Sequence, residues 1–400
     1  MSDPAPDVVD AARRWVAEHH DRLVAIRRDL HAHPELSGAE HRTTEVVASL
    51  LGDAGYAIRR LTSGTGLLAD STWPADAGRV AVRADLDALA MHDRKQVAYR
   101  STVDGVAHAC GHDVHTTISL ATALFFADHP RLAGRSIRFV FQPAEERVPG
   151  GALDVLADDG LADVDAVLGL HCEPKLDCGT IGLRAGAITS AADMVAITIG
   201  GPGGHTARPE LTVDTVGLAA RVVTEVPGIV AGRLAAESDA GDGGVKLVFG
   251  AVHGGDAANV IPTRCELRAS VRTPSSSAWE LLEETVRAAV AHVLDGSGAT
   301  CEIDYTHGVP PTVNDAAVVE RVRGAAAAIE GTTIVDAEQS WGGDDFAWLT
   351  REVPGAYVRL GVHDVRSSAP RLDLHAGLFD VDERAIGIGT RLMIATVASS

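Results

Sequence analysis

The chain has 400 residues, of which 46% are apolar and 22% are charged, and this globular composition excludes a disordered or fibrous protein. Its formal net charge of −20 at pH 7 argues against a surface for nucleic acids or anionic membranes, because both need clustered positive charge. The length favours two domains of ordinary size over a single one.

Cysteine usage and the start of the chain indicate the compartment. The five cysteines are scattered and odd in number, so we expect free thiols in a reducing environment. Residues 1–14 are polar and acidic and lack the basic and apolar regions of a signal peptide. No apolar run is expected to reach a membrane-spanning length of about 20 residues. These features predict a cytoplasmic protein.

Periodic apolar residues predict two helices at the start of the chain, 8–30 and 40–54, the second ending at Gly55. Short apolar runs then alternate with helical stretches, which predicts strands 79–83, 136–141 and 166–170 and helices 114–127 and 151–159. This alternation is typical of an α/β layer with a mostly parallel sheet. Sites in such sheets form in loops at the carboxyl ends of strands.

The order of elements changes to β-α-β-β-α-β between about Ser190 and Tyr305, which is the ferredoxin-like order. The predicted elements are strands 194–199, 245–251, 265–272 and 300–305, helices 213–226 and 277–293, and a turn at Gly241–Gly244. A helix–strand alternation resumes at Asp315 and ends in helix 382–397. We therefore predict one discontinuous α/β domain, residues 1–189 and 306–400, interrupted by an inserted α+β domain, residues 190–305.

Residues 108–115 place one thiol and three imidazoles ahead of a helix. Cys110 and His112, with a glycine between them that lets the loop bend, can converge on one divalent ion. A simpler interpretation is that these histidines cap the helix or lie in solvent. The density of donors favours the metal site.

Two adjacent glutamates, Glu145 and Glu146, follow a strand and a proline. Such pairs are usually a solvated surface, but at a strand's carboxyl end one could bind metal while the other accepts a proton from water. His171 and His375 also follow strand-like segments, and each alone is a weak signal. Donors for two ions about 3.5–4 Å apart are then supplied by Cys110, His112, Glu146, His171 and His375.

Eight segments in this order resemble the M20 metallopeptidase superfamily, and within it the branch of hippurate, auxin-conjugate and other N-acyl-amino-acid amidohydrolases. The segments are residues 28–36, 83–89, 108–115, 142–146, 169–171, 203–205, 259–262 and 374–375. The resemblance runs essentially from end to end. It implies a catalytic α/β domain with a mostly parallel central sheet plus an inserted ferredoxin-like α+β lid or dimerisation domain.

The resemblance also implies roles for these residues. Cys110 would bridge two divalent ions (zinc, manganese, cobalt or nickel), and the terminal ligands would be His112, Glu146, His171 and His375. Glu145 would be the general base that takes a proton from the attacking water and delivers it to the leaving amine.

Acidic residues near these ligands are candidates for supporting roles. Asp85 and Asp87 would orient a metal-bound histidine, or would simply form a turn after a buried strand. The same two alternatives apply to Asp113 and His115.

Residues of the inserted domain are expected to complete the site. In the family, the histidine that matches His205 stabilises the tetrahedral oxyanion, in its own chain or in a partner's. Asn259 would face the substrate. Arg272, on a strand of alternating apolar and polar residues, could pair with a substrate carboxylate.

The chain departs from the family pattern at positions that bear on substrate choice. Ala90 stands where the family usually has proline, and Asp344 stands where it often has glutamate. In the inserted domain Thr206 and Glu210 replace an alanine and a second histidine. With Trp341, these two residues are expected to shape the substrate pocket.

The expected activity is hydrolysis of the amide bond of an N-acyl or N-aroyl amino acid to a carboxylate and a free amino acid. A dipeptidase or aminopeptidase of the same superfamily is the alternative, with Glu210 or Asp344 holding the substrate's ammonium group. A non-catalytic metal-binding scaffold is disfavoured, because Glu145 and Cys110 are both retained. The expected partners are a small-molecule N-acyl amino acid and a second copy of the chain, joined through the inserted domain as a homodimer or higher oligomer.

Overall fold

In the computed structural model, which describes residues 6–73, 77–241, 244–367 and 370–399, the chain begins with two helices. The predicted turn at Gly241–Gly244 includes two positions outside these ranges. The elements of the first part are α1 (Pro6–Ala32), α2 (His41–Asp53), β1 (Ala57–Arg60), β2 (Leu67–Asp70), β3 (Ala77–Asp85), α3 (His112–Asp128), β4 (Arg135–Gln142), α4 (Ala152–Ala157), β5 (Val164–Asp177), β6 (Thr180–Leu183) and β7 (Gly186–Ala187).

The rest of the chain contains a strand-rich stretch followed by a return to alternating helices and strands. The strand-rich stretch has β8 (Ala191–Gly200), β9 (Gly204–His205), α5 (Thr215–Glu237), β10 (Lys246–His253), β11 (Val260–Ile261), β12 (Arg264–Thr273), α6 (Ser276–Leu294) and β13 (Thr300–Val309). The last part has β14 (Val313–Asn314), α7 (Ala316–Ala327), β15 (Thr333–Asp336), α8 (Phe346–Glu352), β16 (Gly355–His363) and α9 (Arg384–Ala398).

These elements form two compact units. The first unit contains residues 1–186, 313–338 and 345–400, and the second contains residues 187–312 and 339–344. The predicted boundary at residue 305 differs from this division, because β13 continues to Val309 within the second sheet. Residues 339–344 were predicted in the first domain but belong to the second unit. The backbone of Ser340 bonds to Ile188 there, and that of Ser190 bonds to Gly342.

The first unit is built on an eight-stranded sheet with the order β1-β2-β4-β3-β5-β16-β6-β15. Its middle strands, β4, β3, β5 and β16, pair in parallel, as do β6 and β15. These middle strands are buried along most of their length, as expected for a sheet covered on both faces. The predicted α/β class with a mostly parallel sheet is confirmed.

Helix α3 lies in the core of the first unit and is buried on every side from His112 to Phe126. Such all-round burial explains why its sequence shows no polar face. Neighbouring helices α1 and α9 pack against it. The amino-terminal end of α3 therefore carries His112 into the interior of the unit.

The second unit is a four-stranded antiparallel sheet with the order β10-β12-β8-β13, and α5 and α6 pack together against it. In chain order these elements follow the predicted β-α-β-β-α-β sequence. The expected alternation on β12 is present, with Cys265, Leu267, Ala269 and Val271 buried. The apolar side chains of alternate positions thus form the core of this unit.

Helix α5 corrects two expectations. It was predicted to end near Val226, but it continues through Pro227 to Glu237. A proline removes one backbone donor, and here burial of Val226, Val230 and Leu234 along one face keeps the helix continuous. Among the described residues, α5 is also the one helix long and apolar enough to cross a membrane by length and composition. Packed helices of globular domains meet the same criterion.

Candidate metal centre

The first group of predicted ligands lies where a tight loop enters α3. Cys110 and His112 are 6% and 1% exposed. Gly111 between them has φ 87°, and a Cβ atom there would lie 2.8 Å from the Cys172 sulfur. Glycine at this position therefore lets the loop turn tightly beside β5 and direct both side chains into the same space.

The other predicted ligands come from three separate segments of the same unit. Glu145 and Glu146 follow β4, after Ala144 with φ 55°. His171 lies within β5 and is 6% exposed. His375 precedes α9 and has φ 59°, a left-handed conformation that turns the chain there.

The fold brings all six of these side chains together. His171 Nε2 lies 3.4 Å from the Cys110 sulfur, and His375 Nε2 lies 3.4 Å from Glu146 Oε1. His112 Nε2 lies 3.8 Å from Glu145 Oε2 and 3.9 Å from Glu146 Oε1. These distances join residues that are far apart in sequence.

Two sets of donor atoms share one sulfur. The first set is Cys110, His112 and His171, and the second is Cys110, Glu146 and His375. Within each set the donor atoms lie within 4.8 Å of one another. Thiolate, imidazole and carboxylate donors in this number suit a pair of divalent transition-metal ions, and Cys110 could serve both.

Unsatisfied polar atoms support this interpretation. His112 Nε2 and Glu146 Oε1 are buried and have no hydrogen-bond partner among the described residues. A buried polar atom without a partner is costly, so such atoms are expected to have an unseen one. Both atoms belong to the donor sets and would bind metal directly.

The ring orientation of the histidines also fits metal binding. His112 Nδ1 donates to the backbone oxygen of Asp87 at 2.9 Å, and His171 Nδ1 donates to that of Cys172 at 2.7 Å. Because Nδ1 donates to a backbone oxygen in both rings, Nε2 is the nitrogen of each ring that is left to bind an ion.

The two aspartates have different partners. Asp87 lies beside His112, with its Oδ1 atom 3.3 Å from Nδ1. Asp85 accepts from His115 Nδ1 at 2.7 Å, and His115 Nε2 accepts from the backbone N–H of Cys172 at 2.9 Å. Both nitrogens of His115 are therefore engaged, and its ring connects Asp85 to the strand that carries His171.

Burial and charge shift the proton affinities at this centre. Burial raises the pKa of the Cys110 thiol well above its usual value, and the nearby glutamates act in the same direction. Burial lowers the pKa of His171, so its imidazole is neutral near pH 7. A thiol must lose its proton to bind an ion, so metal binding here is expected to release a proton and to weaken in acid.

A buried arginine supports two of the ligand segments, and the sequence analysis did not identify it. Arg27 of α1 is 1% exposed and donates to Asp113 at 2.7 Å and to Asp380 at 3.1 Å. Asp113 follows His112 in α3, and Asp380 follows the loop of His375. Arg27 lies one residue before a segment of the family resemblance, and no local pattern shows that it is buried.

The predicted residues of the second unit lie on its surface or along its sheet. His205 in β9 is exposed, and its Nδ1 accepts from the backbone N–H of Ala207 at 3.0 Å, so Nε2 carries the proton. Asn259 is exposed, and its backbone oxygen accepts from Thr206 at 3.3 Å. Arg272 donates to the backbone oxygen of Trp341 at 3.0 Å. Their roles at the metal centre stay predictions.

Comparison with known proteins agrees with this fold. Residues 81–398 match the family model described as peptidase family M20/M25/M40. N-acetylcysteine deacetylase of Bacillus subtilis is 33% identical over 373 residues, which are 93% of this chain and 95% of that protein. The Bacillus subtilis YXEP protein, described as a dinuclear metal-binding peptidase from the M20 family, superposes with a TM-score of 0.83 at 30% identity, covering 96% of this chain and 98% of that one.

A longer relative shares the same region. A Rhodococcus jostii protein with the provisional name glutamate–cysteine ligase 2-3 is 41% identical over 375 residues. The match covers 94% of this chain but 46% of that protein, so this chain spans about half of its length.

The chain belongs to peptidase family M20/M25/M40. It is a metal-dependent hydrolase that acts on amide bonds, as the sequence predicted.

Proposed function

We propose that the protein hydrolyses the amide bond of N-acyl amino acids at a centre of two divalent ions. The observation that carries this proposal is the pair of donor sets that share Cys110, with the carboxylate of Glu145 beside them. The 33% identity with an N-acetylcysteine deacetylase supports an acyl group on the substrate nitrogen.

The proposed ligands of the centre form two groups. Cys110, His112 and His171 would hold one ion, and Cys110, Glu146 and His375 the other. Divalent ions bound there supply Lewis acidity toward a water molecule and a carbonyl oxygen.

Proton transfer falls to Glu145, whose side chain is 10% exposed. As the general base it takes the proton of the attacking water and gives it to the amine nitrogen when the C–N bond breaks. His205, with its proton on Nε2, is the proposed donor to the oxyanion, and Arg272 and Asn259 are proposed to bind the substrate.

The donor chemistry favours some metals over others. A thiolate with imidazoles prefers zinc or cobalt to manganese, and cellular availability can change the outcome. We therefore propose zinc or cobalt, and activity of the metal-free protein reconstituted with each ion in turn tests this choice.

We also propose that two copies associate through the second unit. Its sheet ends in β10 and β13, and edge strands present backbone groups that a second copy can pair. Light scattering at working concentration should report a dimer or a larger assembly, and a monomer would refute this proposal.

The test of the activity uses a substrate panel with wild type and Glu145→Gln. The panel contains N-acetyl, N-benzoyl and long-chain N-acyl amino acids together with the matching free dipeptides. We expect turnover of N-acyl substrates that falls by about 1000-fold in the variant, the middle of the range of about 100-fold to 10,000-fold for loss of a general base. Metal content should stay at two ions per chain in both proteins.

Other results of this substrate panel would change the proposed function. Turnover of free dipeptides alone would favour the dipeptidase. No turnover with two ions bound would favour a metal-binding scaffold.

A further inference from the structure

A polar turn after α1, residues 37–40, carries a carboxylate that is completely buried. Glu40 is 0% exposed. Its Oε1 atom accepts from the backbone N–H of Gly38 and from that of Ala144, both at 2.8 Å. Its Oε2 atom accepts from the Thr65 hydroxyl at 2.7 Å. The side chain therefore joins three separate segments of the first unit.

One of these segments is the loop of the proposed general base. Ala144 immediately precedes Glu145 and has φ 55°, a conformation that residues with a Cβ atom rarely adopt. Its N–H group is directed at Glu40. A residue in this conformation persists only where its surroundings hold it, and the bond from Glu40 is one such constraint.

The residue on the other side of Glu145 is held in the same way. The N–H of Glu146 donates to Asp87 Oδ2 at 2.9 Å, and the hydroxyl of Ser37 donates to the same oxygen at 2.6 Å. The backbone groups on both sides of Glu145 are thus fixed by buried carboxylates. The turn at 37–40 contributes to both contacts.

Close packing leaves this loop little room to shift. A Cβ atom at Gly66 would lie 2.5 Å from Pro143 Cδ and 2.8 Å from the backbone oxygen of Phe141. A Cβ atom at Gly151 would collide with the backbone oxygen of Pro143. Gly151 also donates its N–H to Ala144 at 3.0 Å. The loop is enclosed, and Glu40 accepts a hydrogen bond from the backbone of Ala144, the residue before Glu145.

We propose that Glu40 is a positioning residue for the general base. This inference rests on the proposed role of Glu145. Glu40 lies outside the donor sets and is bonded to Gly38, Ala144 and Thr65. It acts by fixing Ala144, and so sets the direction of the Glu145 carboxylate.

The principal test compares Glu40→Ala with Glu35→Ala. Glu35 lies in the same region and also accepts two backbone N–H groups, at 2.9 and 2.8 Å, but these belong to Arg42 and Thr43 at the start of α2. Both variants leave two backbone N–H groups without their acceptor, and only Glu40→Ala does so in the loop of Glu145. Glu40→Ala also removes the acceptor of the Thr65 hydroxyl. Thermal unfolding of both variants measures the purely structural loss.

For Glu40→Ala we expect kcat to fall by about 100-fold, the effect of displacing a catalytic group by about 1 Å. KM should change by less than about threefold, and two ions per chain should remain, because Asp87 still holds Glu146. For Glu35→Ala, kcat should stay within about twofold of wild type. An unchanged kcat in Glu40→Ala, or loss of its metal, would overturn the proposal.

Two further variants test the proposal if Glu40→Ala fails to fold. Glu40→Gln keeps an oxygen that can accept from Ala144, so kcat should recover to within about fivefold of wild type. Glu40→Asp keeps the charge on a side chain one methylene shorter, and kcat should fall by at least about tenfold. Equal kcat values for Glu40→Gln and Glu40→Asp would overturn the proposal.

Glu145→Gln, measured beside these variants, separates this inference from the proposed function. If Glu145→Gln is inactive while Glu40→Ala and Glu40→Asp retain wild-type kcat, the base is correct and the positioning role is wrong. If Glu145→Gln retains full activity, the proposed base is wrong, and the positioning role falls with it.

Discussion

The two compact units differ in how deeply they bury their predicted catalytic residues, although His375 of the first unit is exposed. In the first unit Cys110 and His112 are buried, and charged groups such as Arg27 and Asp113 are buried around them. In the second unit His205 and Asn259 are exposed. A buried polar centre must be assembled by folding, because an uncompensated buried charge is costly, whereas an exposed side chain carries no such constraint. Substitutions at the buried ligands and buried ion pairs of the first unit should therefore change metal content or stability, and those at the exposed residues of the second should change turnover alone.

The largest effect is expected from Cys110→Ala. Both donor sets lose their shared sulfur, so metal content should fall below two ions per chain. Lewis-acid assistance is worth several kcal/mol, so turnover should fall by about 1000-fold or more. Elemental analysis and the N-acyl substrate assay measure the two effects. Cys178→Ala is the control, because Cys178 is a half-buried thiol of the same unit outside both sets. A variant with two ions and normal turnover would contradict the shared-ligand assignment.

A large loss of stability is expected from Arg27→Met. The substitution leaves Asp113 buried without its guanidinium partner, and losing one member of a buried ion pair costs about 3–5 kcal/mol. Urea unfolding gives the change in the free energy of unfolding. Arg28→Met is the matched control on the next residue, since Arg28 is 46% exposed and pairs with Glu383 at the surface. Its cost should be below about 1 kcal/mol. Equal losses in the free energy of unfolding for the two variants would show that burial of Arg27 does not contribute to stability.

The smallest of these effects is expected from His205→Ala in the second unit. Loss of one oxyanion donor lowers kcat by about 100-fold to 1000-fold. Because His205 is exposed, the unfolding temperature and the metal content should stay at their wild-type values. Steady-state kinetics with thermal unfolding of the same sample checks both statements. A stability loss with normal kcat would reverse the contrast between the two units and remove His205 from the proposed mechanism.

The chemistry of the donors was predictable from sequence. Thiols, imidazoles and carboxylates stand out against a globular composition, and the resemblance to the M20 family supplied their order. The structure brings Cys110, His112, Glu146, His171 and His375 together, as ligands of one centre must be. The strand before Glu145 and Glu146 was also predictable, because apolar runs and their flanking turns are local patterns. The expectation that His171 and His375 follow strand ends was wrong, because His171 lies within β5 and residues 371–374 are not a strand.

The supporting contacts were not predictable from local patterns. Arg27 and Glu40 resemble ordinary charged residues of a helix and a turn, and their burial depends on partners far along the chain. His115 was one of several candidates for a supporting role, and its contacts with Asp85 and Cys172 required β3 and β5 to be adjacent. The predicted end of the helix at residue 226 was wrong, because packing along α5 outweighs the one hydrogen bond lost at Pro227.

The sequence by itself determined the class of the protein. Its hydrophobic periodicity specifies helices and strands, since side chains alternate or repeat along a local backbone. Its thiol, imidazole and carboxylate residues predict a metal site, and the resemblance of its motifs to the M20 family implies hydrolysis of an amide bond. The tertiary structure alone decided how the centre is held: which ring atoms of His112 and His171 are left to bind an ion, and which carboxylates hold the backbone around Glu145. Those facts depend on pairs of buried charges and backbone groups that are far apart in sequence. A buried polar group must have a partner, but the sequence does not show which residue that partner is.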